Sequence, residues 1–237
     1  MTTNYTQDDA VYGAIDLDEI YVTDDWLINR FTGNGLWTCG YNSQGQLGKG
    51  NITNYSSPIQ VGSLTNWKQI SCGQNHTAAI KTDGTLWTCG YNIYGQLGNG
   101  TITNYSSPIQ VGTLTNWKQV AAGYHHTAAI KTDGTLWTVG YNIYGQLGNG
   151  TITNYSSPIQ VGSLTNWKQV ACGQDYTAAI KTDGTLWTFG QNSSGQLGNG
   201  NVTRYSSPIQ VGSLTNWKQI AAGLGHTVAI INMEITG

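Results

Sequence analysis

Histidine recurs at a fixed interval in this chain, and the spacing is the pattern most suggestive of metal chemistry. His76, His126 and His226 occupy one position of a 50-residue repeat, and Tyr176 takes that position in the remaining copy. Three imidazoles that converge near one axis could bind a transition metal such as zinc. Tyr176 breaks the set and acidic or cysteine partners are absent, so we expect the rings to hydrogen-bond the backbone in tight turns.

Other arrangements that could do chemistry are incomplete. Asp16–Glu19 resembles part of a calcium-binding loop, but it lacks the loop's glycine and its twelfth-position glutamate. Gly45–Gly50 is rich in glycine without the wider spacing and the following Ser or Thr of a phosphate-binding loop. No Ser-His-Asp or Cys-His arrangement is visible, and Asp175 is the only acid at a variable loop position of the array. We therefore predict a protein that is not an enzyme, with no catalytic residues, no cofactor and no metal.

The cysteines favour packing over disulfide or metal chemistry. They fill two positions of the repeat: Cys39 and Cys89 in one, Cys72 and Cys172 in the other. The remaining copies hold Val139 and Phe189 at the first position, and Ala122 and Ala222 at the second. A position that accepts Cys, Val or Phe is an apolar packing site. There is also no CxxC spacing, so we expect no disulfide and no structural metal.

The repeat itself must position any functional residue. The stretch Gly84–Leu97 recurs almost letter for letter at Gly134–Leu147 and Gly184–Leu197, and a fixed period of this kind predicts one structural unit stacked on its copies. Each unit contains four short apolar runs and an Asp-Gly hairpin signal. In one copy these runs are Asn66–Cys72, His76–Lys81, Thr85–Cys89 and Ser106–Val111, with Pro108 assigning the last to an edge.

Four short antiparallel strands per repeat indicate a β-propeller blade, so the fold class is predicted to be all-β. Ala78 and Ala79 in the second strand suit a place where neighbouring blades crowd together. Eight tryptophans recur at two positions of the repeat, and we expect them to pack between blades rather than to stack on a ligand. They are Trp37, Trp87, Trp137, Trp187, Trp67, Trp117, Trp167 and Trp217.

Three linked motifs now carry a family resemblance. The combination of Gly73–Thr77 (GxxHT), Asp83–Gly90 (DGxLWxxG) and Asn92–Gly98 (NxxGQLG) resembles the regulator of chromosome condensation repeat over roughly residues 31–231. The resemblance implies a β-propeller, usually seven-bladed in that family. Its members include an exchange factor for a small GTPase, a plant ultraviolet photoreceptor and bacterial enzyme inhibitors. It therefore implies a binding surface more than a reaction.

This chain departs from the family because it has only four copies of the repeat. The first two strands of a blade stand at the C-terminal end, in Asn216–Ile220 and His226–Ile231, without the two that should follow. The two missing strands stand near the N-terminus, in Leu36–Cys39 and Ser56–Val61. We predict that they join into a ring of four 50-residue, four-stranded blades closed between the chain ends. The alternative is that two chains combine into one larger ring.

Charge divides the chain into two predicted regions. Residues 1–30 hold seven acidic residues and one arginine, and we predict an acidic N-terminal appendage there. Within this region Trp26–Phe31 shares the repeat position of His226–Ile231 and competes with it for one place in the closing blade. Residues 31–237, the predicted propeller, hold nine basic and five acidic residues.

Composition also excludes several classes of partner. Charged residues make up only 9% of the chain, so the surface must be neutral and rich in hydrogen-bonding groups. The lysines recur singly, as at Lys68 and Lys81, and form no cluster that would bind nucleic acid. No classical signal peptide and no run long enough for membrane insertion is visible. We leave the localisation open, with a virion or a cell surface as the favoured places.

The positions at which the copies differ are the candidates for binding. Two loops of each repeat vary, and variable loops on a rigid scaffold are where binding function tends to lie. We predict a partner-binding face formed by Ile93, Tyr94, Ile143, Tyr144, Tyr124, His125, Gln174 and Asp175. The scaffold does not require the Ile-Tyr pairs, because Ser193 and Ser194 fill the same positions in another copy. Neutral drift after a recent duplication is the competing interpretation.

Our reading of the function is a non-catalytic binding or assembly module. Its favoured setting is a structural or surface protein of a bacterium or bacteriophage, such as a tail, fibre or adhesion component, with a protein partner and with homo-oligomers allowed. One alternative is a lectin-like propeller that binds a glycan through Tyr91, Tyr141, Tyr94 and Tyr144. The other is a regulator of a GTPase or an enzyme, which the low charge disfavours.

Overall fold

The computed structural model describes residues 33–233, which contain sixteen β-strands. The strands are Trp37–Gly40 (β1), Tyr55–Gln60 (β2), Trp67–Cys72 (β3), His76–Lys81 (β4), Leu86–Gly90 (β5), Tyr105–Gln110 (β6), Trp117–Ala122 (β7), His126–Lys131 (β8), Leu136–Gly140 (β9), Tyr155–Gln160 (β10), Trp167–Cys172 (β11), Tyr176–Lys181 (β12), Leu186–Gly190 (β13), Tyr205–Gln210 (β14), Trp217–Ala222 (β15) and Thr227–Ile231 (β16). Among these residues no helix is long and apolar enough to cross a bilayer. The acidic appendage, Asp16–Glu19 and Trp26–Phe31 lie outside the described residues.

Three complete blades confirm the all-β propeller and the reading of four strands per repeat. Each is a four-stranded antiparallel sheet whose strands follow the chain order: β3 to β6, β7 to β10, and β11 to β14. The Asp-Gly hairpin lies between β4 and β5, where Asp83 accepts hydrogen bonds from the backbone and hydroxyl of Thr85 at 2.9 and 2.6 Å. Pro108 lies on β6, the edge strand, as its missing N–H predicts.

The core lies between neighbouring blades, and the second strand of each blade is buried on both faces. Ala78 and Ile80 of β4 pack with Trp117 and Val120 of the following blade. Ala79, on the other face of β4, packs with Trp67. The alanines therefore occupy the crowded position predicted for them, because a larger side chain would hold the blades apart.

The tryptophans only partly follow the prediction of an inter-blade core. Trp67, Trp117 and Trp167 are buried, and each meets the second tryptophan of its own blade edge to face at about 6 Å. Trp37 is exposed, which corrects the prediction for this copy. The reason is that β1 belongs to a sheet of only two described strands, so part of its packing surface is uncovered.

The first and last described strands form separate two-stranded sheets, β1–β2 and β15–β16. Within residues 33–233, β1 pairs only with β2, and β16 pairs only with β15. Ile70 is 55% exposed, whereas its equivalent Val120 is 3% exposed against the preceding blade. Val228 and Ile230 on β16 are exposed in the same way. In the complete blades, a neighbouring blade covers the equivalent apolar faces. No described strand covers them at the two ends of the array, so closure of the ring stays a prediction.

If the ring closes, β16 pairs with β1 in one specific register, and this register can be tested. Thr177 of β12 lies opposite Phe189 of β13, so a closed blade would place Thr227 opposite Cys39. We expect a Thr227→Cys variant to form a disulfide with Cys39 on mild oxidation, because directly opposed Cβ atoms lie about 4.5–5.5 Å apart. On non-reducing electrophoresis, a compact monomer would show closure within one chain, and a dimer would show closure between two. A cross-linking pattern equal to that of the wild type would contradict both.

Candidate functional site

The variable loops of all repeats gather at one end of the blades, here named the loop face. It consists of the connections at residues 41–54, 73–75, 91–104, 123–125, 141–154, 173–175, 191–204 and 223–226. Because the strands of a blade are antiparallel, the connections after its first and third strands lie at the same end. The Asp-Gly hairpins lie at the opposite end. The predicted binding positions are therefore brought to a single face.

A buried asparagine holds each long loop of the loop face in shape. Asn92 is fully buried, and its amide donates to the carbonyls of Thr103 and Thr101 at 2.9 and 3.1 Å. Its side-chain oxygen accepts from the backbone N–H of Leu97 at 2.9 Å. The equivalent Asn142 makes the same set of contacts. The long loops are thus rigid supports, because backbone groups that no strand satisfies are bonded to one side chain.

Six aromatic side chains meet on the loop face and form what we name the aromatic cluster. Its members are Tyr91, Tyr94, Tyr124, His125, Tyr141 and Tyr144. The imidazole of His125 lies at its centre, 4.5 Å from the ring of Tyr124 and 5.0 Å from that of Tyr94. The ring of Tyr94 also lies 4.6 Å from that of Tyr141. The separations and tilted orientations are those of favourable aromatic pairs, so the cluster is a preformed apolar surface.

His125 does not stand alone on the loop face. The ring is half-buried among tyrosines from the loops of two neighbouring blades. Burial lowers the pKa of His125, which favours the neutral imidazole near neutral pH. The centre of the aromatic cluster is consequently uncharged.

Asp175 lies beside the cluster and is 6% exposed, although its loop position predicted an accessible acid. Its carboxylate accepts a hydrogen bond from the Gln146 amide at 3.3 Å. Burial raises the pKa of Asp175 to about 6, so at neutral pH it is a poorly solvated negative charge. Its charge is also one of the causes that raise the pKa of Tyr141. A carboxylate of this kind gains from a cationic partner.

The remaining predicted residues lie at the two sides of the cluster. Ile93 and Ile143 are exposed on the same loops as Tyr94 and Tyr144. Gln174 lines a depression of about 350 Å³ that Tyr124 also borders. The loop face thus brings the predicted residues into one region that runs from this depression to the outer loops.

Two members of the aromatic cluster, Tyr91 and Tyr141, were missing from the predicted protein-binding set. Both follow the last glycine of a third strand, which the sequence shows as Gly-Tyr-Asn. The signal that could have identified them is their replacement in one copy by Gln191. In the first copy Tyr41 is present, but Ser43 and Gln44 replace the bulky pair, and the ring is exposed. The cluster is therefore confined to the middle blades.

The recurring histidines were expected to hydrogen-bond the backbone in tight turns, but their rings contact threonine hydroxyls of the next blade instead. The Nε2 atom of His76 lies 2.9 Å from Thr127 Oγ1 in the next blade, and His126 contacts Thr177 at 3.0 Å. Each ring therefore links two blades through a hydroxyl group. Within residues 33–233, no three His, Cys, Asp or Glu side chains are grouped to hold a metal ion.

Tyr176 makes a related link from the histidine position of its copy. Its hydroxyl donates to the His226 carbonyl at 2.5 Å. It also accepts a hydrogen bond from the Thr227 hydroxyl at 3.2 Å, and Thr227 is the equivalent of the threonines that His76 and His126 contact. The repeat position thus selects a side chain that can bond across blades, whichever ring supplies the polar atom.

Solved structures of other proteins share this architecture. The chain is similar to human WBSCR16, with 25% identity over 85% of this chain and 54% of that chain, at a TM-score of 0.76. It is also similar to Prp20p from Saccharomyces cerevisiae, with 21% identity over 81% of this chain and 50% of that one, at a TM-score of 0.72. The chain thus spans about half the length of the solved structures it matches.

No curated protein sequence is significantly similar to this chain. The RCC1-like domain family, in contrast, matches residues 20–232, which include all sixteen described strands. The repeat motifs, the four-stranded blades and this match agree. The chain therefore belongs to the RCC1-like domain family of β-propellers.

Proposed function

We propose that this RCC1-like chain is a non-catalytic binding module that contacts a protein partner through the aromatic cluster. The observation that carries the proposal is the convergence of six aromatic rings from variable loops on a rigid support. Prp20p is described as binding Gsp1p and histones. At 21% identity that likeness supports the fold alone, so the partner must be argued from this surface.

The aromatic cluster has the properties of a binding hot spot. Aromatic side chains dominate the binding energy of protein interfaces, particularly where several meet in one well-packed patch. Ile93 and Ile143 extend the patch with exposed apolar surface, which is unfavourable in water unless a partner covers it. Ser193 and Ser194 show that the blade can fold without such residues. Binding therefore accounts for side chains that packing within the blade does not require.

The chemistry of the site favours a basic side chain of the partner. Tyrosine faces attract a Lys or Arg cation, and the poorly solvated Asp175 carboxylate lies next to Tyr141. A guanidinium group that stacks on the tyrosines could also donate to this carboxylate. We therefore propose a partner segment that presents an arginine or lysine flanked by apolar residues.

Replacing the two Ile-Tyr pairs tests the proposal. In the variant Ile93→Ser, Tyr94→Ser, Ile143→Ser and Tyr144→Ser, we expect an intact fold, because the chain already carries Ser-Ser at this position. Peptides selected from a random library for binding to the wild type should be rich in Arg and Lys. Most of them should bind the variant at least about tenfold more weakly, about 1.4 kcal/mol.

The control for this experiment removes exposed isoleucines outside the cluster. Ile102→Ser and Ile152→Ser change two exposed residues of the same long loops. Their peptide affinities should match those of the wild type. Undiminished binding by the four-site variant would contradict the proposal, and it would move the interface to another surface such as the acidic N-terminal residues.

We also propose that the module belongs to a structural or surface protein of a bacterium or bacteriophage. It is supported by composition, since charged residues make up 9% of the chain, and by the near identity of the copies. Regulation of a GTPase remains the alternative within the family. An interface that needs a basic partner segment would serve either role, and the peptide selection reports on that segment directly.

A further inference from the structure

Three equivalent pockets between the blades lie apart from the aromatic cluster, and we name them the lysine pockets. Lys81, Lys131 and Lys181 each line one of them, at the last position of the second strand and thus towards the end opposite the loop face. Their volumes are about 370, 260 and 350 Å³. Volumes near 300 Å³ are at the lower end of the range of small-ligand sites.

The lysine in each pocket is enclosed by indole rings. Lys131 is 6% exposed, and its Nζ atom lies 3.6 Å from the ring centre of Trp137 and 4.9 Å from that of Trp117. The other two pockets repeat these distances within 0.1 Å, at 3.6 and 5.0 Å and at 3.5 and 5.0 Å. A cation held between two indole faces is a favourable contact that nonetheless leaves its charge without an anion.

Within residues 33–233, no carboxylate forms an ion pair with any of these lysines. The acid closest in sequence to Lys131 is Asp133, whose carboxylate is engaged by the backbone and hydroxyl of Thr135 at 2.9 and 2.6 Å. Burial lowers the pKa of Lys131 more than the nearby charge of Asp133 raises it, so the ammonium group is only partly compensated for its loss of solvent. An anion that enters the pocket would supply the missing partner.

The remaining walls fit a ligand with an apolar face. In the middle pocket, Val111, Leu114 and Pro158 line the cavity together with Trp117 and Trp137. Asn99 and Ser157 supply polar groups in the same cavity. Indole and aliphatic walls suit the C–H face of a pyranose ring, and the polar groups suit its hydroxyls. The lysine would then take a carboxylate carried by the sugar.

The repetition of the pockets points to a repeating ligand. They recur at every 50 residues of the chain with closely similar lining, the main difference being Lys49 in the first pocket where the others have Asn99 and Asn149, so one array presents three related sites. We propose that each lysine pocket binds a carboxylate-bearing sugar residue and that the array binds an acidic polysaccharide. Several weak contacts on one polymer would combine into much tighter binding. This activity is separate from the aromatic cluster and goes beyond the proposed function.

Oligogalacturonate is the probe for this proposal, with its methyl ester as the matched uncharged control. By calorimetry we expect the wild type to bind the acid form, and to bind the ester at least about tenfold more weakly because the ester carries no carboxylate charge. Equal binding of acid and ester would overturn the proposal, as would no binding of either. Tighter binding of polyglutamate would also overturn it, in favour of an acidic protein partner.

Variants of the pocket lysines locate the site. Replacing all three by Met in Lys81→Met, Lys131→Met and Lys181→Met should weaken oligogalacturonate binding by at least about thirtyfold through lost multivalency. Replacing all three by Arg should keep most of it. The matched control is Lys118→Met, because Lys118 is exposed on β7 and lines none of the three pockets. Wild-type affinity in the triple Met variant would contradict the assignment.

Two further measurements keep the proposal testable if the triple Met variant does not fold. Side-chain NMR of the wild type should show the ammonium signals of Lys81, Lys131 and Lys181 shifting on addition of the acid probe, and that of Lys118 remaining unchanged. The four-site serine variant of the aromatic cluster should bind oligogalacturonate as the wild type does. Shifts confined to other lysines would contradict the proposal without affecting the proposed function.

Discussion

Acidification from pH 7 to pH 4 is expected to destabilise the protein strongly through two inter-blade histidines. Burial lowers the pKa of both His76 and His126 to about 3. Their unfolded pKa is about 6.5, so between these values the unfolded chain binds two protons that the folded chain does not. Stability therefore falls as the pH drops below 6.5, by up to about 3 kcal/mol per histidine at pH 4.

The variant His76→Tyr with His126→Tyr isolates this effect, since Tyr176 shows that the position accepts tyrosine. Denaturant unfolding at pH 7 and pH 4 should show several kcal/mol less acid destabilisation in the variant. Asp175 acts in the opposite direction, because its raised pKa means that the folded state gains a proton as the pH falls through 6. It is present in both proteins and cancels in the comparison. Equal pH dependence of the two proteins would contradict the assignment of buried, neutral imidazoles.

Adding a methyl group to the glycine of an Asp-Gly hairpin is expected to cause the next largest loss of stability. Gly134 lies in the Asp-Gly turn between β8 and β9 with φ +78°, and its carbonyl accepts from the Trp167 N–H at 3.0 Å. A Cβ atom there would lie 2.0 Å from the carbonyl oxygen of Thr165 in the connection to the next blade. Backbone cannot yield as a flexible side chain can. We expect Gly134→Ala to lower the free energy of unfolding by at least about 3 kcal/mol.

Gly162→Ala is the matched control, because Gly162 also has a positive φ of +61° but a Cβ atom there meets nothing within 4 Å. Only the left-handed conformation then opposes alanine, for a loss of about 1 kcal/mol. Urea unfolding of both variants measures the difference. Equal losses would show that the hairpin does not pack closely against the next blade.

Much of the blade could be predicted from sequence because one unit repeats. Asp-Gly between two apolar runs identified the β4–β5 hairpin, and Pro108 identified the edge strand. The alanines of β4 identified the crowded inter-blade position, since a small residue in an apolar run marks close approach. Each of these signals is local, and local signals survive in a single sequence.

Features that depend on neighbouring blades could not be predicted in the same way. The sequence placed Tyr94 and His125 in different loops, and only the angle between two blades brings their rings to 5.0 Å. Lys131 and Trp137 face each other across strands, so their spacing along the chain gives no sign of a cation–π contact. Asp175 was expected at the surface because its loop is variable, but packing against Gln146 buries it.

Ring closure depends on an angle that no local signal encodes. Four blades need about 90° between neighbours, whereas seven need about 51°. The described arc matches solved propellers about twice its own length at a TM-score of 0.76, and it leaves β1 and β16 in separate sheets. The angle between blades is set by side chains such as Ala78 and Val120 that pack across the interface. Sequence repetition predicts the unit but not how many units complete a turn.

The central claim is that the aromatic cluster contacts the protein partner, and site-specific photo-crosslinking tests it most directly. A photoreactive phenylalanine replaces Tyr94 in one protein and Thr132, an exposed residue of the hairpin at the opposite end, in another. With a selected arginine-containing peptide as the partner, we predict cross-linking from position 94, loss of it on adding the Asp175→Asn change, and none from position 132. Cross-linking from position 132 with none from position 94 would contradict the account.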